Sequence, residues 1–254
     1  MVKYFFIFFL GAIFGSFLNV CVYRLPRKLS IVFPFSHCPI CSLPIRFFDN
    51  IPLISYILLL GKCRNCRAVI NIRYFLLEFI SGSTALAIYA AFHTPHQIVL
   101  YGILAALLLL ASFIDLEHGI IPDSISVTGI VLGLILTPFF SYETIEFSKN
   151  IFLNSFIGVF AGILSVYGMG LLGEIFFKKD GVGGGDIKLM GMIGAFIGWK
   201  LVILTFFLAP FFAMPFALTA KIKYKKETIP YGPYLALAGF ISLLFGNKII
   251  EYLL

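Results

Sequence analysis

Apolar runs long enough to cross a lipid bilayer recur along most of this chain, and they exclude a soluble globule. A spanning helix needs roughly 20 apolar residues to cover about 30 Å of hydrocarbon. About eight such segments lie near 4–23, 74–92, 98–115, 122–140, 152–177, 187–198, 201–219 and 232–247, the sixth short enough for a half-helix or re-entrant piece. With 60% hydrophobic and 12% charged residues over 254 positions, the expected fold is an all-α polytopic membrane protein.

Charge sets the expected orientation. Only Lys3 precedes the first segment, whereas Arg24, Arg27 and Lys28 follow it. This bias places the amino terminus outside, and no small-x-small cleavage site marks the segment as a removable signal. Eight alternating crossings then put 24–73, 115–122, 177–188 and 220–231 in the cytoplasm. Of the 19 Lys and Arg, all but Lys3, Lys149, Lys200 and Lys248 fall inside. The net charge of +7 is therefore a matter of topology and anionic lipid, with no nucleic-acid partner implied.

The one long polar segment, 24–73, carries four of the five cysteines. Cys38-Pro-Ile-Cys41 and Cys63-Arg-Asn-Cys66 have the spacing of two metal-binding turns, and four thiolates suit a closed tetrahedral zinc site that holds a small domain folded. A disulfide framework is the alternative, disfavoured in a reducing cytoplasm. His37 is a substitute ligand that the four cysteines make unnecessary, and Cys21 reads as a small apolar residue. Ile51–Leu60 is too short to span, so a core or interfacial helix is expected there. No internal repeat is evident, and Gly11/Gly15 and Gly194/Gly198 read as helix-packing positions.

A carboxylate at membrane depth is costly, so each is a functional-site hypothesis. Asp115 closes the third apolar segment and Asp186 opens the sixth, so both can meet at one depth on the cytoplasmic side. Two carboxylates sharing a water also share a proton, so one activates water while the other polarises a carbonyl, as in aspartic proteases. Gly183, Gly184 and Gly185, with Gly181, remove side chains beside Asp186, permit unusual backbone angles and leave room for an extended peptide.

Bland roles also fit nearby polar groups. Asp123 after Pro122 reads as a helix cap. Glu117 and His118 read as loop residues, Glu78 and Glu174 as structural partners of bases such as Arg73, and His93 and His96 as surface histidines.

Taken together, the chain resembles the type IV prepilin peptidases, membrane aspartyl proteases of the GxGD class. The resemblance rests on Gly15–Pro26 (GSFLNVCVYRLP), both CxxC pairs, Asp115 through Pro122-Asp123, Gly183–Leu189 (GGGDIKL) and Ile229–Tyr234 (IPYGPY). It implies an enzyme of the bacterial cytoplasmic (inner) membrane, serving type IV pili or type II secretion. Such an enzyme removes the basic leader of prepilins and pseudopilins, usually after glycine, and in many members methylates the new amino terminus with S-adenosylmethionine. It also implies that Asp115 and Asp186 are the catalytic aspartates and that Cys38, Cys41, Cys63 and Cys66 bind zinc.

Two departures are visible: Phe75 stands where the family often has proline, and Tyr231 and Tyr234 replace the more usual phenylalanines. The expected organisation is a first crossing at 1–23, a cytoplasmic zinc and methyltransferase region at 24–73 and a protease bundle at 74–254. Residues binding S-adenosylmethionine stay unassigned. The rival reading is an ion- or proton-coupled transporter whose aspartates bind a cation, with the cysteine region as a cap.

Overall fold

The computed structural model describes residues 2–33, 35–140, 150–177, 182–224 and 229–253, apart from the side chains of 177, 224 and 253. They form α1 (Val2–Arg24), α2 (Ile54–Leu58), α3 (Ile72–Ala91), α4 (Pro95–His118), α5 (Asp123–Phe140), α6 (Ile151–Phe177), α7 (Gly184–Tyr224) and α8 (Gly232–Leu253). Seven of these are long and apolar enough to cross a membrane. Large apolar side chains such as Phe5, Phe14, Val131, Phe160 and Phe207 lie exposed, as a lipid-facing surface requires. Gly181, expected in the glycine loop, lies outside the described residues. The chain divides into two compact units, Met1–Phe92 and His93–Leu254.

In the first unit α1 and α3 pack antiparallel at glycine contacts. A Cβ at Gly11 would lie 2.6 Å from Ala85 Cβ, and one at Gly15 would lie 2.8 Å from the Glu78 Cα. Asn71 starts α3 by accepting the Arg73 N–H, one of the donors that a helix leaves unpaired at its start. The helix expected over 51–60 is only the short α2. Leu53 before it, and Leu60 and Gly61 after it, take positive φ (65°, 52° and 65°) and stop it on both sides.

In the second unit the expected segments 187–198 and 201–219 form one element, α7, broken at Gly198, whose φ of 78° and ψ of 174° are not helical. This accounts for seven long helices where about eight crossings are expected. The glycine contacts show that α7 folds back there. Its first arm, 184–197, runs antiparallel to α6, with Gly194 against Gly158, Gly191 against Ile163 and Gly198 against Asn154.

The first arm also runs parallel to α8, with Gly239 against Ile193. The second arm returns along α8 in the opposite sense, Leu201 meeting Gly246 and the Phe216 ring lying tilted 5.4 Å from that of Tyr234. Fourteen residues rise only about 21 Å, too little to span alone. The first arm is instead the axis of this unit: Leu189, Met190, Met192, Ile193, Ala195 and Phe196 are fully buried. α5 lies beside it in parallel, Gly129 near Met192 and Thr137 donating to the Ala195 carbonyl at 3.1 Å.

Candidate active site and metal centre

Asp115 sits in the last turn of α4 and is buried, 6% exposed. Gly119, at φ 65°, ends that helix by donating its N–H to the Asp115 carbonyl at 2.8 Å. Only glycine adopts this left-handed cap without penalty. The short stretch that follows delivers Ile121 to the start of α7, where a Cβ on Gly185 would lie 3.0 Å from the Ile121 Cβ. Asp186, half-buried in the first turn of α7, therefore stands at the same end of the unit as Asp115.

A third segment joins them. The Gly232 N–H, opening α8, donates to Asp115 Oδ2 at 2.9 Å in a buried contact. Next to it, burial first and the Asp186 charge second push the Tyr231 phenol up to about 12, so it is a neutral donor at physiological pH. The turn at 231–232 thus bonds Asp115 through Gly232 and lies within electrostatic range of Asp186 through Tyr231, and the two carboxylates lie within electrostatic range of each other. Ile121 closes the group from the side, its Cδ1 3.0 Å from where a Gly232 Cβ would be. Reading the sequence for chemistry missed Tyr231 and Gly232, because a backbone N–H carries no signature; the Ile-Pro-Tyr-Gly turn before an apolar run was the available signal.

The glycine loop departs from expectation in one respect. Among the described glycines only Gly61, Gly119 and Gly198 have positive φ, so Gly183, Gly184 and Gly185 take no left-handed angle. Their contribution is space: nothing lies within 4 Å of a Cβ on Gly184, and one on Gly183 would meet only Asp186 Oδ2, at 3.3 Å.

Asp123 pairs with Lys188 at 2.7 Å and ties the start of α5 to the start of α7. Among the described residues the buried His118 Nδ1 has no hydrogen-bond partner, and His96 packs edge-on against Phe140. Glu78 does not pair with Arg73. Its Oε2 accepts the Leu53 N–H at 2.8 Å, and the Ser16 hydroxyl is its other partner.

The four cysteines converge as expected. The Sγ atoms of Cys38, Cys41, Cys63 and Cys66 all lie within 4.8 Å of one another, with Cys38 and Cys66 at 3.8 Å. A tetrahedral ion with bonds of about 2.3 Å gives sulfur–sulfur edges of about 3.8 Å. The cluster is built from a repeat, 36–45 and 61–70, offset by 25 residues and identical in sequence only at its two cysteines and a closing isoleucine.

In the first copy the Cys38 N–H donates to Leu43, Ser42 to Cys38 and Ile45 to Ser36; in the second Cys63 donates to Ala68, Arg67 to Cys63 and Ile70 to Gly61. Ser42 and Arg67 occupy matching positions at φ 57° and 61°. The Cys41 N–H foremost holds the Cys38 thiol down at about 6. Although the Ala68 N–H favours the Cys66 thiolate, desolvation and the other three sulfurs push it up to about 11. Four sulfurs this close cannot all ionise without a cation between them. His37 instead turns its Nδ1 to the Phe35 carbonyl.

Asp49 accepts a two-pronged bond from Arg64 at 2.6–3.0 Å beside the second copy, and that guanidinium holds its carboxyl below the usual range. Replacing Cys63 by serine is expected to lower bound metal at least about tenfold, read by elemental analysis of the purified chain. Full retention of metal would rule out the four-sulfur site.

Comparison with known proteins gives one answer over both units. Residues 9–92 match the bacterial peptidase A24 N-terminal domain and residues 102–218 the type IV leader peptidase family. The chain is 34% identical to a protein of Stutzerimonas stutzeri named prepilin leader peptidase/N-methyltransferase, over 94% of this chain and 90% of the relative. Relatives of the same name from Pseudomonas aeruginosa (34%; 94% and 89% covered) and Dichelobacter nodosus (30%; 96% and 93% covered) are also similar. No solved structure matches.

Proposed function

The chain belongs to the type IV leader peptidase family, and on that premise we propose that Asp115 and Asp186 jointly hold the water that cleaves the leader of a prepilin or pseudopilin. The protein is a multi-pass protein of the bacterial inner membrane, with this site opening to the cytoplasm. The observation that carries the reading is the turn at 231–232, whose Gly232 N–H fixes Asp115 Oδ2 and whose Tyr231 feels the charge of Asp186.

With Oδ2 engaged, Asp115 keeps its other oxygen for water. Like charges this close favour a single shared proton, so the pair acts as one acid and one base. The base takes a proton from water as oxygen attacks the scissile carbonyl, and the acid protonates the departing amide nitrogen. The open space at Gly183 and Gly184 admits an extended backbone beside Asp186.

The four-cysteine centre holds zinc, which supports the fold around 36–70 and takes no part in cleavage. The cleaved product presents a free amino terminus, the acceptor for a methyl group from S-adenosylmethionine. Family membership leaves the transporter reading without support. The test is incubation of the chain in phospholipid vesicles with a prepilin and S-adenosylmethionine, followed by mass spectrometry of the product. Cleavage after glycine with one added methyl is expected, and an intact leader would refute the peptidase reading.

A smaller effect is expected at the α8 turn. A Cβ on Gly232 would lie 2.8 Å from Asp115 Oδ2, so Gly232→Ala shifts that carboxylate and is expected to slow cleavage about tenfold, since small misplacements of a catalytic group are expensive. An unchanged kcat/KM in the same assay would show that the turn does not position Asp115.

A further inference from the structure

One face of α1 packs on α3 through Gly11 and Gly15. Another borders a cavity of about 460 Å³, within the size range of small-molecule sites. Phe9, Ile13, Ser16, Phe17, Val20 and Arg24 line it from the helix side, at the spacing of a single helical stripe. Apart from Ser16, this stripe is apolar until its last member. From Phe9 to Arg24 it rises about 22 Å, more than the roughly 15 Å that one leaflet contributes to the hydrocarbon.

Arg24 ends α1 and is 7% exposed. Its Nη1 donates to the Ser30 carbonyl at 2.8 Å, and the Arg27 and Leu29 N–H groups bond its own carbonyl, so the chain turns back at this point. The returning segment closes the far side of the cavity with Ile31, Val32 and Phe35, and Phe47 and Asn50 add to it. Val32, Phe35 and Phe47 lie exposed, the last at 91%, although they come after the end of the spanning helix. Apolar side chains at that level, beside a guanidinium, suit the boundary where acyl chains meet headgroups. Among the described residues that line this cavity Arg24 alone is charged. The complementary ligand is therefore anionic at one end and hydrocarbon along the rest.

We infer that this cavity holds one anionic phospholipid from the leaflet at the Arg24 end of α1, its phosphate on Arg24 and an acyl chain along the stripe towards Phe9. A guanidinium suits this role because its planar fork engages phosphate oxygens two at a time. Basic pockets beside membrane helices are recurrent sites for anionic headgroups. Segment 24–73 adds long-range attraction, with eight Lys and Arg against Asp49 as its one acidic residue. The lipid covers the apolar side chains at 32, 35 and 47 and joins that segment to α1. Its binding therefore stabilises the first unit.

The experiment is native mass spectrometry of the full chain in detergent, titrated with phosphatidylglycerol or with zwitterionic phosphatidylethanolamine of the same acyl chains. Thermal unfolding in the same mixtures checks that each variant is folded. The first phosphatidylglycerol is expected to bind about tenfold more tightly than phosphatidylethanolamine, and excess inorganic phosphate is expected to displace neither. Arg24→Gln is expected to weaken phosphatidylglycerol about tenfold and phosphatidylethanolamine less than about twofold, as loss of a charge-assisted bond implies. Ile13→Trp, at a half-exposed position on the stripe, fills the acyl end and is expected to weaken both lipids at least about threefold.

Equal affinity of the wild type for the two lipids, or an Arg24→Gln variant that keeps the preference, would overturn headgroup recognition at Arg24. Displacement of the lipid by inorganic phosphate would mean a site for a soluble anion and would overturn the acyl assignment. Unchanged binding of both lipids by Ile13→Trp would overturn the cavity as the site. That variant also decides the matter should Arg24→Gln not fold, since Arg24 holds the Ser30 carbonyl as well.

Discussion

Asp115→Asn and Asp186→Asn are each expected to lower leader cleavage by at least about a thousandfold, with the double variant no worse than either single one. The first part follows from removing an acid or base that the reaction needs. The second follows from groups that act as a unit, whose losses do not add. Asparagine preserves shape and keeps an acceptor for the Gly232 N–H that now reaches Asp115 Oδ2, so both variants should still insert and fold. The measurement is kcat/KM on a prepilin in vesicles. Cleavage by either variant within tenfold of wild type would dismiss the pair. Sharing of one proton also gives wild type a bell-shaped pH dependence whose two limbs belong to the pair.

The second large effect concerns stability. A Cβ placed on Gly194 would run into the Gly158 carbonyl, and one on Gly158 into the Gly194 carbonyl. Backbone cannot rotate away as a side chain can, so Gly194→Leu must push α6 off the first arm of α7. That arm carries the most deeply buried stretch among the described residues, from Leu189 to Phe196. The expected loss is about 3 kcal/mol or more, at the upper end for overpacking.

Thermal unfolding in detergent reads this loss directly. Gly168→Ala, on the same α6 but with nothing within 4 Å of its Cβ, is expected to change stability by no more than about 1 kcal/mol. Equal behaviour of the two variants would mean that α6 and α7 do not depend on this close approach.

Much of the site was legible because its signals are local. Asp115 and Asp186 stand out as carboxylates at the ends of apolar runs, and the cysteine quartet announces itself by two CxxC spacings. Other parts depend on pairings that no linear pattern encodes. The Gly232 N–H is the donor to a residue far away in sequence, and any residue but proline offers the same group. Glu78 was expected to seek a base such as Arg73, yet the loop carrying Leu53 and the hydroxyl of Ser16 meet it first. The repeat at 36–45 and 61–70 shares hydrogen bonds and turn angles, while apart from its cysteines and a closing isoleucine its residues differ.

By itself the sequence determined where helices form, that they belong in lipid, and which side chains bear charge or pair as CxxC thiols, since hydropathy, glycine and residue type act over one helix or one turn. Only the tertiary structure decided that the chain reverses at Gly198, that a 14-residue arm becomes the axis of its unit, and that the Gly232 N–H of the 231–232 turn reaches Asp115. These are outcomes of close packing between distant segments, where a missing side chain or a backbone donor matters more than any residue's own preference.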